Sequence, residues 1–311
     1  MELLVPIPVL IIGFVLLIKG SDIFVDGSVS IAKLLSVPTV VIGLTIVSMG
    51  TSAPEAAVSI TAGIKGSNEI AISNLVGSNI FNILCVAGAS ALITPFLVDK
   101  EVLKRDFPIS LALMVLLAVM AFTGKVVSRL EGAILFVIFL SYIAYLIRNA
   151  IKNREKSNNN EKPMSAAKSI IFIFVGIVAI IGGGQFVVWS AKTLAAFFKM
   201  TETFIGVTVV AIGTSLPELV TSIVAAKKGQ SDIAIGNVVG SNIFNITFVL
   251  GMSSAIHPIA IVDETVIDAV AMVAVNAVGF IFCLTAKKLN RGEGLTMICM
   301  YAVYTAYLLI R

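Results

Sequence analysis

Two glutamates set in apolar sequence have the most chemistry to offer in this chain. Glu55 closes the cluster Gly50-Thr51-Ser52-Ala53-Pro54-Glu55, and Glu218 closes Gly213-Thr214-Ser215-Leu216-Pro217-Glu218. Thr51 and Ser52 lie four and three residues before Glu55, so on a helix all three side chains share a face. Thr214, Ser215 and Glu218 repeat that spacing. On the following segments Asn74, Ser78 and Asn82, and again Asn237, Ser241 and Asn245, fall at i, i+4 and i+8, one polar stripe of a helix. Summed over both clusters, the set is two carboxylates, hydroxyls and amides, which is all oxygen on the ligating side. No Lys or Arg lies in the same apolar segments. Buried carboxylates need a compensating charge, so something cationic has to meet them. Ca²⁺ takes about 6–8 oxygens; two bidentate Glu supply about four, and main-chain carbonyls freed near Thr51 and Thr214 about two more. Two negative charges also balance one divalent cation. Zn²⁺ and copper favour Cys or His ligands, and neither residue type joins the set.

The proline in each cluster is part of that chemistry. Pro54 has no N–H to give the carbonyl of Gly50, and its ring pushes the preceding turn open; Gly50 weakens the helix further. Pro217 and Gly213 do the same in the second copy. Irregular backbone at membrane depth is tolerated where it lines a cavity or meets an ion. A kinked helix rich in small residues can also serve close packing alone, and each cluster taken singly allows that reading. The glutamate at the same place in both copies argues against it. Asn79 and Asn242 fit an interhelical hydrogen bond as well as ligation.

The elements that must position these residues are legible in composition and repetition. The chain is 58% apolar and 13% charged, with a mean hydropathy of +1.04, which excludes a soluble domain of this length. Gly50–Ile83 and Gly213–Ile246 align without a gap at an offset of 163 residues, with 22 of 34 positions identical. Ten apolar segments are read, at roughly 3–18, 35–63, 70–98, 107–124, 130–147, 168–188, 203–226, 233–261, 265–286 and 294–310. Most reach the ~20 residues that span the hydrocarbon, and the second, third and eighth are long enough to be tilted or broken. The first is followed by Lys19, Asp22 and Asp26 rather than a cleavage site and is expected to stay; the two aspartates are expected at its interfacial end. With the N-terminus outside, 16 of the 22 basic residues fall in inside loops, the positive-inside pattern.

Residues 150–166 lie within the polar stretch 148–168, rich in Asn, Lys and Glu, and read as a cytoplasmic linker. They separate a first five-helix repeat, 1–149, from a second, 167–311. Because five is odd, the halves enter the membrane in opposite senses, and the expected fold is an all-α polytopic membrane protein of ten transmembrane helices, built as two inverted-topology repeats with broken helices around a central site. Cys85, Cys283 and Cys299 lack metal spacing and read as small hydrophobes. Gly20 and Gly182–Gly184 are expected at close helix crossings, Trp189 at an interface, and His257-Pro258 at a helix end. No HExxH motif or paired intramembrane Asp is present, and the sole histidine, His257, lies near a segment end, so an intramembrane hydrolase is not expected.

The paired GTSxPE and GNxxGSN-x-x-N blocks, with ten segments and a central loop, resemble the cation/Ca²⁺ antiporter superfamily, and within it the chain is most similar to the prokaryotic sodium/calcium exchangers. The resemblance spans essentially the whole chain. It implies a Na⁺/Ca²⁺ antiporter of the plasma membrane, not an enzyme and without a cofactor, in which Ca²⁺ and Na⁺ alternately occupy one site as the first and sixth segments slide across the rest. The sequence leaves the oligomeric state open, and a monomer is expected to suffice for function. Carried over residue by residue, the site is Thr51, Ser52, Glu55, Ser78 and Asn82 with Thr214, Ser215, Glu218, Ser241 and Asn245, together with the carbonyls of Ser48 and Ala211. Some sodium/calcium exchangers carry an acidic residue at the place of Asn245, potassium-dependent relatives tend to use an acid in this region, and cation/proton exchangers carry a Glu within a GN-x-x-E motif. Here positions 82 and 245 are both Asn, and the matching stretches are Asn74-Leu-Val-Gly77 and Asn237-Val-Val-Gly240, which argues against K⁺ dependence and proton coupling. A Ca²⁺/H⁺ exchanger, and more remotely a cation channel, are the alternatives.

Overall fold

A computed structural model describes residues 5–152, 163–198, 200 and 211–310. Twelve helices are used below: α1 (Pro6–Leu35), α2 (Thr39–Thr51), α3 (Ala53–Ile64), α4 (Ile70–Ile93), α5 (Val102–Gly124), α6 (Arg129–Lys152), α7 (Ala166–Phe197), α8 (Ala211–Thr214), α9 (Leu216–Lys227), α10 (Ser231–Ile256), α11 (Asp263–Thr285) and α12 (Arg291–Ile310). Among the described residues eight helices are long and apolar enough to cross a membrane, and α2 with α3 makes a ninth span bent by 52°. The seventh expected segment begins in residues that lie outside the described ones.

The helices start and stop where the chain's punctuation says. Pro6 and Pro54 sit in the first turns of α1 and α3, where a missing N–H costs nothing. The α1 helix ends in a left-handed Ser36 (φ 55°) whose N–H returns to the carbonyl of Lys33 at 3.2 Å. Pro38 then bars continuation. His257 is the extended residue that terminates α10, as its pairing with Pro258 suggests.

Two sequence-based boundaries need correction. The first segment does not end near residue 18, and Asp22 and Asp26 are not at its tip. The helix runs on to Leu35, because both aspartates meet Lys228, at 2.7 and 2.6 Å, so their charge does not force the chain out of the helix. Likewise α5 starts at Val102 rather than 107. Arg105 Nε donates to Asp106 Oδ1 at 2.8 Å, and the Tyr142 hydroxyl of α6 donates to the same oxygen at 3.0 Å, which makes these charges tolerable within a helix. The description as all-α also needs amendment. Four two-residue strands cap helix ends, and they pair across the two halves: β1 (Phe96–Leu97) with β4 (Lys288–Leu289), and β2 (Val126–Val127) with β3 (Ile259–Ala260), both antiparallel.

Burial separates an inner frame from an outer layer. In α10, 94% of the most apolar window is buried, and in α4 72%, against 28% in α1, α6 and α7 and 11% in α12. The outer helices turn Ile11, Phe14, Val15, Ile170 and Phe174 outward, the apolar coat that lipid contact requires and water would not reward. α1 and α7 cross closely. A Cβ on Gly13 would lie 2.9 Å from the carbonyl of Gly183, and one on Gly183 2.7 Å from that of Gly13. The pair Gly20 and Gly176 repeats this contact one heptad on, so two backbones touch directly in the manner of small-residue membrane crossings. Gly182 meets nothing within 4 Å, and Gly184 faces Pro217 instead.

Candidate functional site

The break between α2 and α3 falls at Ser52 (φ −80°, ψ 6°), and that between α8 and α9 at Ser215 (φ −93°, ψ 7°). Each serine is the residue just before its Pro-containing first turn. Glu55 and Glu218 consequently sit in the first turns of α3 and α9, where exposed N–H groups favour a negative charge. Asn82 and Asn245 likewise each begin a π-helical turn, Asn82–Ala87 and Asn245–Leu250, a local widening that recurs at functional sites. All of these residues are buried; Thr214 is the most open at 9%.

The two copies of the motif complete each other. The Ser52 hydroxyl donates to Glu218 Oε1 at 2.7 Å, and the Ser215 hydroxyl donates to Glu55 Oε1 at 2.9 Å. Ser52 also lies 2.9 Å from the Ser241 hydroxyl, and Ser215 3.1 Å from that of Ser78. Thr51 donates to Asn237 Oδ1 at 3.0 Å, and Thr214 to Asn74 Oδ1 at 3.5 Å. Asn82 Nδ2 donates to Asn242 Oδ1 at 3.2 Å, and Asn245 Nδ2 to Asn79 Oδ1 at 3.0 Å. Every one of these bonds joins one half of the chain to the other. Thus Thr51, Ser52, Glu55, Ser78 and Asn82 meet Thr214, Ser215, Glu218, Ser241 and Asn245 in one buried cluster.

Four oxygens in that cluster are buried and have no hydrogen-bond partner among the described residues: Glu55 Oε2, Glu218 Oε2, Asn82 Oδ1 and Asn245 Oδ1. The ion pairs among the described residues involve Arg105, Lys125 and Lys228, none of them with Glu55 or Glu218. An unmet buried carboxylate oxygen is costly, and two carboxylate plus two amide oxygens are the donors a hard cation takes.

The Ser48 carbonyl, expected as a main-chain ligand, lies one turn before Ser52 and also serves the helix. It keeps its helical bond, accepting the Ser52 N–H at 3.0 Å, and also accepts the Thr51 hydroxyl at 3.3 Å. The Ser48 hydroxyl turns back to the Thr45 carbonyl at 3.1 Å. The carbonyl left without an N–H by Pro54 is that of Gly50. Ala211 opens α8 at the edge of the described residues. Residue reasoning passed over Ser59 and Ser222, which accept from Asn74 Nδ2 and Asn237 Nδ2, both at 2.9 Å, and so hold the amides that receive the threonine hydroxyls. The signal was present: both belong to the identical positions of the repeat. Asn276, which accepts from Asn242 Nδ2 at 3.2 Å, carried no such signal, because it lies outside the repeated motif.

Comparison with known proteins gives the family and the fold. The sodium/calcium exchanger protein family matches residues 5–148 and 168–310. A putative antiporter, CaxA, of Alkalimonas amylolytica is 38% identical over 94% of this chain and 95% of its own length. The sodium/calcium exchanger MaX1 of Methanosarcina acetivorans is 34% identical over 96% and 97% respectively. The solved structure of the sodium-calcium exchanger NCX_Mj soaked with 2.5 mM Na⁺ and 0.1 mM Ca²⁺ superposes with a TM-score of 0.85 at 31% identity, covering 97% of this chain and 98% of that one. With its fold, its apolar spans and its paired motifs all in agreement, this chain belongs to the sodium/calcium exchanger family of membrane ion antiporters.

Proposed function

We propose that the chain exchanges Na⁺ for Ca²⁺ across the plasma membrane, at one site shared by both ions and built from the two halves. The observation that carries this reading is the pair Glu55 and Glu218, each with one oxygen held by a serine of the opposite half and the other oxygen unpartnered. Two carboxylates match the charge of one Ca²⁺, and the amide oxygens of Asn82 and Asn245 extend the shell toward the about 6–8 donors Ca²⁺ takes. Na⁺ ions use the same oxygens in turn. An empty pair of like charges is unfavourable in a low-dielectric interior, so the carrier changes its facing side when loaded, and exchange follows from electrostatics.

The architecture proposed around this site is ten spans in two inverted five-helix repeats, 1–149 and 167–311, joined by a cytoplasmic linker at 150–166, with both termini outside. Thr51, Ser52, Ser78, Thr214, Ser215 and Ser241 set the carboxylates in place, and the chain works as a monomer in lipid. Ca²⁺ uptake into proteoliposomes under an imposed Na⁺, K⁺ or pH gradient tests the coupling. Uptake driven by a Na⁺ gradient alone is the expected result. Uptake driven equally by a pH gradient without Na⁺ would replace this reading with Ca²⁺/H⁺ exchange, and flux without any counter-ion would make the protein a channel.

A further inference from the structure

The Asn82 amide reaches the site as the last link of a hydrogen-bond chain whose direction is set one helix away. The main-chain carbonyl of Met272 on α11 can only accept. Asn276 Nδ2 donates to it at 2.8 Å, which leaves Asn276 Oδ1 to accept from Asn242 Nδ2 at 3.2 Å. Asn242 Oδ1 is then the acceptor for Asn82 Nδ2, also at 3.2 Å, and Asn82 Oδ1 is left without a partner among the described residues. All three amides are buried, at 1–2% exposure. Each shows N–H to the link behind and oxygen to the link ahead, so the anchor at Met272 decides which atom faces the site. The second hydrogen of Asn242 goes to another pure acceptor, the Asn79 carbonyl, at 3.4 Å.

The opposite half lacks this anchor. Asn245 Nδ2 donates to Asn79 Oδ1 at 3.0 Å and Asn245 Oδ1 is unpartnered, but Asn79 Nδ2 has no acceptor among the described residues. Where α11 carries Asn276, the residue 163 positions earlier on α5 is Leu113, followed by Met114. The two asparagines of the repeat are therefore supported unequally, although their sequences match.

We propose that Asn276 is a positioning residue that holds the Asn82 amide with its oxygen toward the cation, acting through Asn242 without touching the ion itself. This rests on the site reading given above. Reversal of the Asn82 amide would point the positive end of its dipole at the cation, so loss of the anchor weakens binding rather than dismantling the fold. Groups that orient metal ligands from behind typically contribute about 10–100-fold to affinity, and the surviving bond to the Asn79 carbonyl puts this case at the low end.

The test is calorimetric Ca²⁺ binding to the purified full chain in detergent. Asn276→Leu is expected to weaken binding about tenfold. Asn276→Asp keeps an oxygen for Asn242, and when protonated a hydrogen for Met272, and is expected to stay within about twofold of the parent. In an Asn82→Ala background, Asn276→Leu should add nothing further, because its effect passes through that amide. An equal loss in both backgrounds, or parental binding by Asn276→Leu, overturns the proposal. If the leucine variant elutes unfolded from a sizing column, Asn276→Ser, too short to accept from Asn242, is read in both backgrounds by the same criteria. Glu55→Gln, measured alongside, separates the two claims: if it still binds Ca²⁺ as the parent does, the site reading itself fails, whereas its loss of binding leaves the Asn276 result to stand or fall alone.

Discussion

At the scale of single residues, the carboxylates and the hydroxyls that hold them have different jobs, and substitution should separate them. Glu55→Gln and Glu218→Gln each leave one negative charge against a divalent ion. Removing one partner of a buried charged contact costs about 3–5 kcal/mol, so Ca²⁺ transport should fall more than about a hundredfold in either variant. Flux assays in which both retain near-parental transport would move the site elsewhere. Thr51→Ala should be milder, within about tenfold, since its one hydroxyl proton is shared between Asn237 Oδ1 and the Val47 carbonyl, each at 3.0 Å, the equivalent of one hydrogen bond of about 1 kcal/mol. At the proposed site protons should compete with cations for the unpartnered oxygens of Glu55 and Glu218, so acidification should raise the apparent Ca²⁺ half-saturation; a half-saturation that is flat with pH would contradict this. These residues were legible in the sequence, because burying a glutamate twice at one offset has no cheap structural explanation. Asn276 was not, since a single asparagine in an apolar helix has no repeated partner to expose its role, and the direction of an amide is a property of contacts rather than of residue type.

At the scale of elements, prolines and glycines foretold the breaks between α2 and α3 and between α8 and α9, but the length of α1 differs from the sequence reading. Three charges after an apolar run look like an interface until their partner is known, and Lys228 lies some 200 residues away. That lysine ties α9 to α1 through Asp22 and Asp26. Partial burial pulls its pKa down, but hydrogen bonds and charge from the two aspartates outweigh this and hold it above the ordinary lysine value. A pKa raised by folding means a contribution fully present below the unfolded lysine value, about 10.4, and lost as pH climbs through the higher folded one. With all three side chains partly exposed, the tie is worth about 1 kcal/mol or less. Lys228→Met should therefore lower the thermal midpoint in detergent slightly at neutral pH, and the difference should shrink as pH rises above the lysine range. A difference that grows with alkalinity would show another cause. The α1–α7 crossing is less forgiving: Gly183→Val drives a side chain into the Gly13 carbonyl, and overpacking of this kind costs about 1–3 kcal/mol, measurable in the same melting experiment.

At the scale of the whole molecule, the proposed orientation follows from the uneven division of Lys and Arg, which sequence alone displays. A single cysteine introduced at position 156 in a Cys-free background should resist a membrane-impermeant reagent added outside, while cysteines near either terminus should react. The reverse pattern would overturn the inverted arrangement. What the sequence could not display is how the halves interlock. The short strands pair only across the halves, β1 with β4 and β2 with β3, and two residues of strand leave no periodicity to read.

The exchange of serines between halves has a consequence for biosynthesis. A ribosome delivers the chain from its N-terminus, so Glu55 is made about 160 residues before Ser215, the hydroxyl that satisfies it. During that interval the newborn first half carries a carboxylate with neither its serine nor its ion, in a solvent that penalises both absences. The first half alone is thus an unfinished object for quality control to see. Expressed without its sequel it should be degraded, and synthesis of the second half as a separate polypeptide in the same cell should rescue it.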